Sequence, residues 1–451
     1  MPKYTRFSPR ASLAALGGLF RRMWQTVEEQ VHIAQKEVRY SPSSKLLMAA
    51  LTVLAGGQGL VEINTRLRPD RGLLRAFGCR GCAEQSVVSR TLNACTEADV
   101  IAMREAQREL LQRHGQCVQH HRQYRRPLLL DLDLTGLLAG RQGVGVSKGY
   151  FSGRRGARGR QLGRVLASDY DEIVLERLYP GNQQLQHVLE ELVQGTEAVL
   201  GLTDETRSRT IWRVDAGAGN DAQIDWLLGR GYLLLTKVTS TSRAKCLAAS
   251  VSEWHRDPKE PARELGWPQT PHAYAGATQQ LVIRHQRDGR YRYRVVVWNL
   301  EDAMLAHLAN QPVRHEYDSL QRLSLAAYAY DQRGGGIETS NKNSKQGLGL
   351  MKRNKRRLCA QEMLVLLAEL VYNFLTWVRH LLVQVDRDYA HYGPRRLIRD
   401  LLQVPGQLHF SSRHQLQRLA LARDHPFAGD LMRAFGDLPF ADGPPPILRK
   451  I

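Results

Sequence analysis

Acidic residues are missing from two long stretches of this chain: none occurs from Leu134 to Ser168 or from Thr339 to Gln361. Over the whole 451 residues, 64 Lys and Arg outnumber 44 Asp and Glu, for a net charge of +20. That shortage of negative charge argues for a polyanionic partner, nucleic acid ahead of an acidic membrane surface. Cysteine is also scarce. Six in such a length do not make a disulfide scaffold, and a reducing compartment is expected. The most apolar stretch, Leu358–Val385, carries Glu362, Glu369 and Arg379 in its interior, so it reads as a buried amphipathic helix rather than a membrane span. Met1 to Arg22 has no apolar core followed by a small-residue cleavage site, so no signal peptide is expected. Against these absences stands a hydrophobic content of 43%, which supports a sizeable core and excludes global disorder. The length suggests two or three domains.

Residues 1–125 read as mostly helical. Ser44–Leu54 is apolar, Gly56, Gly57 and Gly59 break it, and Val61–Leu67 and Leu73–Phe77 resume at helical spacing. The segment 83–94 forms a short helix with Val87, Val88 and Leu92 inward and Gln85, Ser86, Ser89 and Arg90 outward. It is either the second helix of a helix-turn-helix or part of an ordinary bundle. Cys79 and Cys82 have the spacing of half a zinc site, but Cys95, His114 and Cys117 follow irregularly, and core cysteines are the better reading.

Arg126–Gly136 is the first strong strand. Period two puts Leu130, Leu132 and Leu134 on one face and Asp131, Asp133 and Thr135 on the other. Two carboxylates among leucines are costly to bury without a cation, and a metal ion is the simplest candidate. The acid-free stretch that follows holds Arg141, Lys148, Arg154, Arg155, Arg158, Arg160 and Arg164, among glycines and beside Tyr150 and Phe151. It reads as a hairpin with a basic tip that tracks phosphates, or as a solvated loop. Arg209–Asp215 is a second buried strand, with Asp215 at its carboxyl end and Asn220 as N-cap of the next helix. Gly217 and Gly219 resemble part of a dinucleotide fingerprint, but the acid expected about twenty residues on is replaced by Lys237.

Residues 238–324 read as a β-rich insertion, with strands at Leu281–His285 and Tyr291–Leu300 joined by a turn at Asp288-Gly289. Trp298 is a core residue or, less favoured, a platform for a displaced base. Then comes the stretch around which the chain is organised: Tyr330-Asp331-Gln332-Arg333, Gly334-Gly335-Gly336, Ile337 and Glu338. Glu338 is a lone carboxylate ahead of Lys342, Lys345, Lys352, Arg353, Lys355, Arg356 and Arg357. Such an acid can hold a divalent metal while the cations hold phosphates. The plainer reading is a glycine loop entering a basic surface helix. Residues 391–451 read as short helices ending in a Pro444-Pro445-Pro446 tail that frays.

Three acids stand out by context: Asp133 within a strand, Asp215 at a strand end, and Glu338 on a helix. With these residues the chain resembles the DDE transposases of bacterial insertion sequences, in the branch with a Tyr–Arg–Glu–Lys signature. The matching residues are Asp133-Leu134-Thr135, Asp215-Ala216-Gly217, and Tyr330-x-x-Arg333 followed by Glu338 and Lys345, within residues 45–385. In that signature three residues separate the arginine from the glutamate; here four do (Gly334–Ile337). Asp131 lies on the same face as Asp133, and Asp133 is preferred because Thr135 follows it at the family's spacing.

The resemblance implies an α/β fold: a ribonuclease H-like mixed sheet flanked by helices, with a helical N-terminal domain and a β-rich insertion before the last catalytic acid. The corresponding division is 1–125, a helical DNA-binding region; 126–237, first part of the core; 238–324, the insertion; 325–390, second part of the core; and 391–451, a short helical C-terminal region. It implies that Asp133, Asp215 and Glu338 hold two Mg2+ ions, with Mn2+ as a substitute. It implies that Tyr330, Arg333 and Lys345 contact phosphates of the transposon end. Lys342, Arg154, Arg155, Arg158 and Arg160 join them as DNA-binding cations. The partners implied are double-stranded DNA, both terminal inverted repeats and target, and a second copy of the chain on paired ends. A cytoplasmic, nucleoid-associated bacterial location follows, without a membrane. The alternatives are a nuclease with the same site and a non-catalytic DNA-binding protein derived from a transposase.

Overall fold

The computed structural model describes residues 4–36, 39–151, 153–436 and 447–450; the Pro444-Pro445-Pro446 tail lies outside them. The chain divides into two compact units. One comprises residues 1–115, 137–160 and 341–451, and the other 116–136 and 161–340.

The first unit is built on the helix Leu358–Val383, whose most apolar window is 89% buried. Length and composition alone would let this helix cross a membrane. Its apolar side chains instead pack against the helices Pro42–Leu54, Gln85–Ala94 and Glu97–His114. Phe374 meets Phe20 edge to face at 4.9 Å between ring centroids. Glu362, a charge that the apolar helix must accommodate, is paired with Arg104. The helix therefore belongs with the N-terminal helices rather than with the sheet of the second unit, where the sequence reading places it.

The C-terminal region is a second difference. Its sequence suggests short helices, yet Gly406–Phe410 and Leu416–Leu421 are antiparallel strands. Tyr4–Ser8 joins their sheet on one side, and Ile447–Lys450 on the other. In Gly406–Phe410 the alternation is short: Leu408 and Phe410 are buried and Gln407 is exposed. One of its two partner strands, Tyr4–Ser8, lies at the other end of the chain, which local periodicity cannot reveal.

The second unit is a mixed sheet flanked by helices. Its strands run, side by side, Glu172–Pro180, Arg158–Ala167, Leu128–Leu138, Thr210–Val214, Leu233–Lys237, Arg290–Trp298, Gln279–Arg287, Arg263–Gly266 and His255–Arg256. Leu128–Leu138, Thr210–Val214 and Leu233–Lys237 are parallel neighbours, and Arg290–Trp298 adds antiparallel to Leu233–Lys237. The β-rich segment thus extends the sheet instead of forming a separate body. Its hairpin turns through Asp288 and Gly289, both at positive φ (53° and 71°), as a tight two-residue turn requires. On one side Leu265, Ile283, Val296 and Trp298 pack with the helices Asp302–Leu308 and Ser319–Asp331; on the other Val282, Val295 and Val297 pack with Thr241–Ala249. Trp298 is fully buried and is a core residue, not a stacking platform.

Candidate functional site

The two central strands set the site by register. Parallel pairing matches Asp131 with Arg213 and Leu132 with Val214. One step further, Asp133 stands beside Asp215, whose backbone remains extended (φ −81°, ψ 175°). Neighbours in a sheet share a face, so Asp131, Arg213, Asp133 and Asp215 form two adjacent rows on one side.

The inner row is closed. Arg213 donates to both oxygens of Asp131, at 2.6 Å from Nε and 2.7 Å from Nη2, and to the Ala329 carbonyl at 2.7 Å. Ser168 donates to the same carboxylate. Both side chains are at most 2% exposed. Burial of two charges is tolerated when geometry is bidentate and the remaining donors are satisfied. The cation that Asp131 meets is a guanidinium, so of the two acids on this strand Asp133 is the one whose counter-charge is not built into the neighbouring strand.

The outer row is open. Asp215 accepts from the Gly217 amide at 2.7 Å, which caps the short turn Ala216–Ala218. Gly219 is a packing glycine: a Cβ there would fall 1.7 Å from the Lys237 carbonyl oxygen, so this run serves strand packing and no dinucleotide fingerprint. Asp133 meets Arg333, which donates to it and to the Leu132 carbonyl, both at 2.9 Å. Arg333 also stands 3.6 Å from Glu338. The Asp133 carboxyl is pushed above the usual carboxylate range by burial, pulled back by Arg333, and pushed up again by Asp215.

Glu338 opens the helix Ile337–Lys342, and its side chain is 61% exposed. Two contacts place that helix over the sheet. Arg164, buried and paired with Glu176, donates to Ser340 at 2.8 Å. Gly336 lies against the inner row, where a Cβ would come within 2.9 Å of Asp131 Oδ2 and 3.2 Å of Ser168 Oγ. The glycine run is thus a close approach, and the tight turn Gln332–Gly334 leads into it.

Not every expected residue is free to meet a ligand. Tyr330 is 6% exposed, with the Lys237 ammonium 4.1 Å above its ring. Arg333 is 5% exposed and occupied by carboxylates, so as placed it offers no phosphate contact. In the first unit, Arg160 is 1% exposed. Its guanidinium is taken by the carbonyls of Val144 (2.8 Å), Lys355 (3.1 Å) and Arg356 (3.2 Å). That corrects its reading as a phosphate contact: its donors staple two loops. Arg154, Arg155 and Lys342 are exposed, Arg158 and Lys345 half-buried. On the helix Gln85–Ala94, Lys355 holds Ser89 and Arg357 holds the Asn93 carbonyl, while Ser86 and Arg90 stay exposed. Cys79, Cys82, Cys95 and Cys117 are all buried.

Sequence reasoning missed Arg213 and Ser340, and it read Arg164 as a cation of the acid-free stretch, whereas the side chain is buried on Glu176 and Ser340. Arg213 had a signal: a cation inside the apolar run Thr210–Val214 needs an acid on a neighbouring strand.

Among the described residues, no three acids, histidines or cysteines stand close enough to hold a metal ion. The pair Asp133 and Asp215 has the hard oxygen donors that Mg2+ takes. Glu338 does not join them as placed, because Arg333 stands between it and Asp133 as the resident cation. The triad therefore fits a metal pair only with Glu338 turned off Arg333.

Compared by sequence, the chain matches no family model and no curated protein. Among solved structures, it overlaps a piggyBac transposase synaptic complex with hairpin DNA at a TM-score of 0.46 and 11% identity, over 88% of this chain and 80% of that one.

Proposed function

We propose that this chain is a DDE-type transposase with a ribonuclease H-like core, cutting DNA at transposon ends and joining them to target DNA. The observation that carries the reading is the register of the two central strands, which stands Asp133 beside Asp215 and brings Glu338 onto the same guanidinium as Asp133. Asp133, Asp215 and Glu338 are the metal ligands in this reading, with Mg2+ or Mn2+ as the ion. Held by these carboxylates, such ions would supply activation of the attacking oxygen and stabilisation of the leaving oxygen in an in-line displacement.

The protein's own part is positional. The Asp131–Arg213 pair fixes the two strands in register, and Arg164 and Gly336 fix the Glu338 helix. Arg333 balances the carboxylates while they carry no metal. Arg154, Arg155, Arg158, Lys342 and Lys345 supply cations for the DNA backbone. A homodimer on paired ends and a bacterial cytoplasmic location belong to the same reading.

The test uses inverted repeats taken from the flanks of the gene. A duplex ending in such a repeat should be nicked with Mg2+, and a pre-cleaved end should be joined to plasmid DNA. Asp133→Asn, Asp215→Asn and Glu338→Gln should each abolish both while DNA binding persists. Cleavage without any joined product would make the chain a nuclease. Unchanged cleavage by all three variants would overturn the reading.

A further inference from the structure

The strand Arg290–Trp298 alternates Arg-Tyr-Arg-Tyr-Arg before turning apolar. Period two places Arg290, Arg292 and Arg294 on one face and Tyr291 and Tyr293 on the other. The two faces have different partners. Tyr291 and Tyr293 pack with each other and with Trp254, and Arg284 sits 4.7 Å from the Tyr291 ring and 4.1 Å from the Trp254 ring. Arg284 is itself neutralised by Glu264 at 2.6 Å. The tyrosine face is thus partnered within the fold, with Tyr291 remaining 44% exposed.

The arginine face is not. Arg290, Arg292 and Arg294 are all exposed, and none has an ion-pair partner among the described residues. The acids nearby are already engaged: Asp257 and Asp331 hold Arg263, and Glu260 lies 3.5 Å from Arg263 and 3.9 Å from His285. Along the strand, the three arginines are spaced by about 6.8 Å, two residues at about 3.4 Å each. The next residue on this face is Val296, and the register sets Lys237 directly opposite it. Lys237 in turn stands beside Asp215, one step past the paired Val214 and Thr236. One face of the sheet therefore carries, in sequence, Asp133, Asp215, Lys237, Arg294, Arg292 and Arg290.

We propose that Lys237, Arg294, Arg292 and Arg290 form a track for the phosphodiester backbone of DNA, leading from the turn of the inserted hairpin to the Asp133–Asp215 carboxylates. This rests on the reading of those carboxylates as a phosphoryl-transfer site. Guanidinium groups match phosphate oxygens in a two-pronged way, and evenly spaced cations on an open strand suit a repeating charge. A duplex presents one negative charge per about 1.7 Å of axis, so each step along the strand finds a phosphate.

The experiment measures binding of the full chain to a fluorescent DNA duplex between about 50 mM and about 200 mM salt. The variants replace Arg290, Arg292 and Arg294 together, by Gln in one and by Lys in the other. These side chains are exposed, and circular dichroism would check that both variants fold as the wild type does. The Gln variant should lower the slope of log affinity against log salt by about 2.7, at about 0.9 for each phosphate that is no longer neutralised. The Lys variant should restore most of it. A slope and affinity unchanged in the Gln variant, with wild-type binding intact, would overturn the track and leave the carboxylate site standing. A wild-type chain that binds no DNA would instead overturn the reading on which the track rests. Polyglutamate binding as tightly as DNA, and abolished in the Gln variant, would reassign the row to an acidic protein.

Discussion

Asp131 and Asp133 are two residues apart on one strand and one face, and the fold treats them in opposite ways. Asp131 is beside an arginine on the neighbouring strand, fully buried and bonded at both oxygens. Asp133 is beside a second carboxylate, Asp215, and borrows its cation from Arg333, on a turn about two hundred positions later in the chain. The difference separates an acid neutralised within the sheet from one left against a like charge. An acid whose counter-charge is built into the adjacent strand serves the fold. An acid placed against a like charge costs the fold something, and an incoming cation relieves that cost.

Stability should separate the two rows most sharply. Asp131→Asn leaves Arg213 buried without its charge partner and should cost about 3–5 kcal/mol in denaturant unfolding. Asp133→Asn relieves burial of a charge and repulsion from Asp215 but leaves Arg333 with Glu338 alone, 3.6 Å away, and should cost clearly less than Asp131→Asn. Equal losses from the two would break the comparison. Gly336→Val presses a side chain onto Asp131 and Ser168 and should cost about 1–3 kcal/mol, while shifting the Glu338 helix. A variant as stable as the wild type would show that the close approach is not required.

Arg333 sharpens the comparison from the other side. If it serves as the stand-in cation, Arg333→Met should bind Mn2+ about tenfold more tightly than the wild type in the absence of DNA, a difference of about 1.4 kcal/mol read by electron paramagnetic resonance. Weaker binding in the variant would make Arg333 a support of the metal site instead. The smallest effect concerns Lys237. Its folded pKa of about 8 lies below the ordinary value of about 10.4, so between those values the unfolded chain holds more protons than the folded one. Its contribution to stability therefore rises as pH climbs through that window. Other groups titrate there too, so the quantity to follow is wild type minus Lys237→Met, which should increase with pH; a flat difference would contradict the shift.

Much of the second unit was legible because its signals are local. The alternation in Leu128–Leu138, the position of Asp215 at a strand end and the Asp288-Gly289 turn all appear within a few residues. What was illegible depends on partners far along the chain. Tyr4–Ser8 pairs with Gly406–Phe410, and Arg160 is buried because carbonyls near residue 355 receive it. Charge alone could not separate Arg160 from Arg154 and Arg155, since all three stand in the same acid-free run. Strand context put Asp131, Asp133 and Asp215 in view, but not the guanidiniums of Arg213 and Arg333 that meet Asp131 and Asp133. A guanidinium and a metal ion satisfy the same sequence pattern.

The most direct measurement is the anomalous diffraction signal of Mn2+ in crystals of the chain bound to its end DNA. The account predicts a peak between Asp133 and Asp215, with Glu338 turned away from Arg333 to join them. Arg333 still seated on Asp133 and Glu338, with Mn2+ held elsewhere, would contradict it.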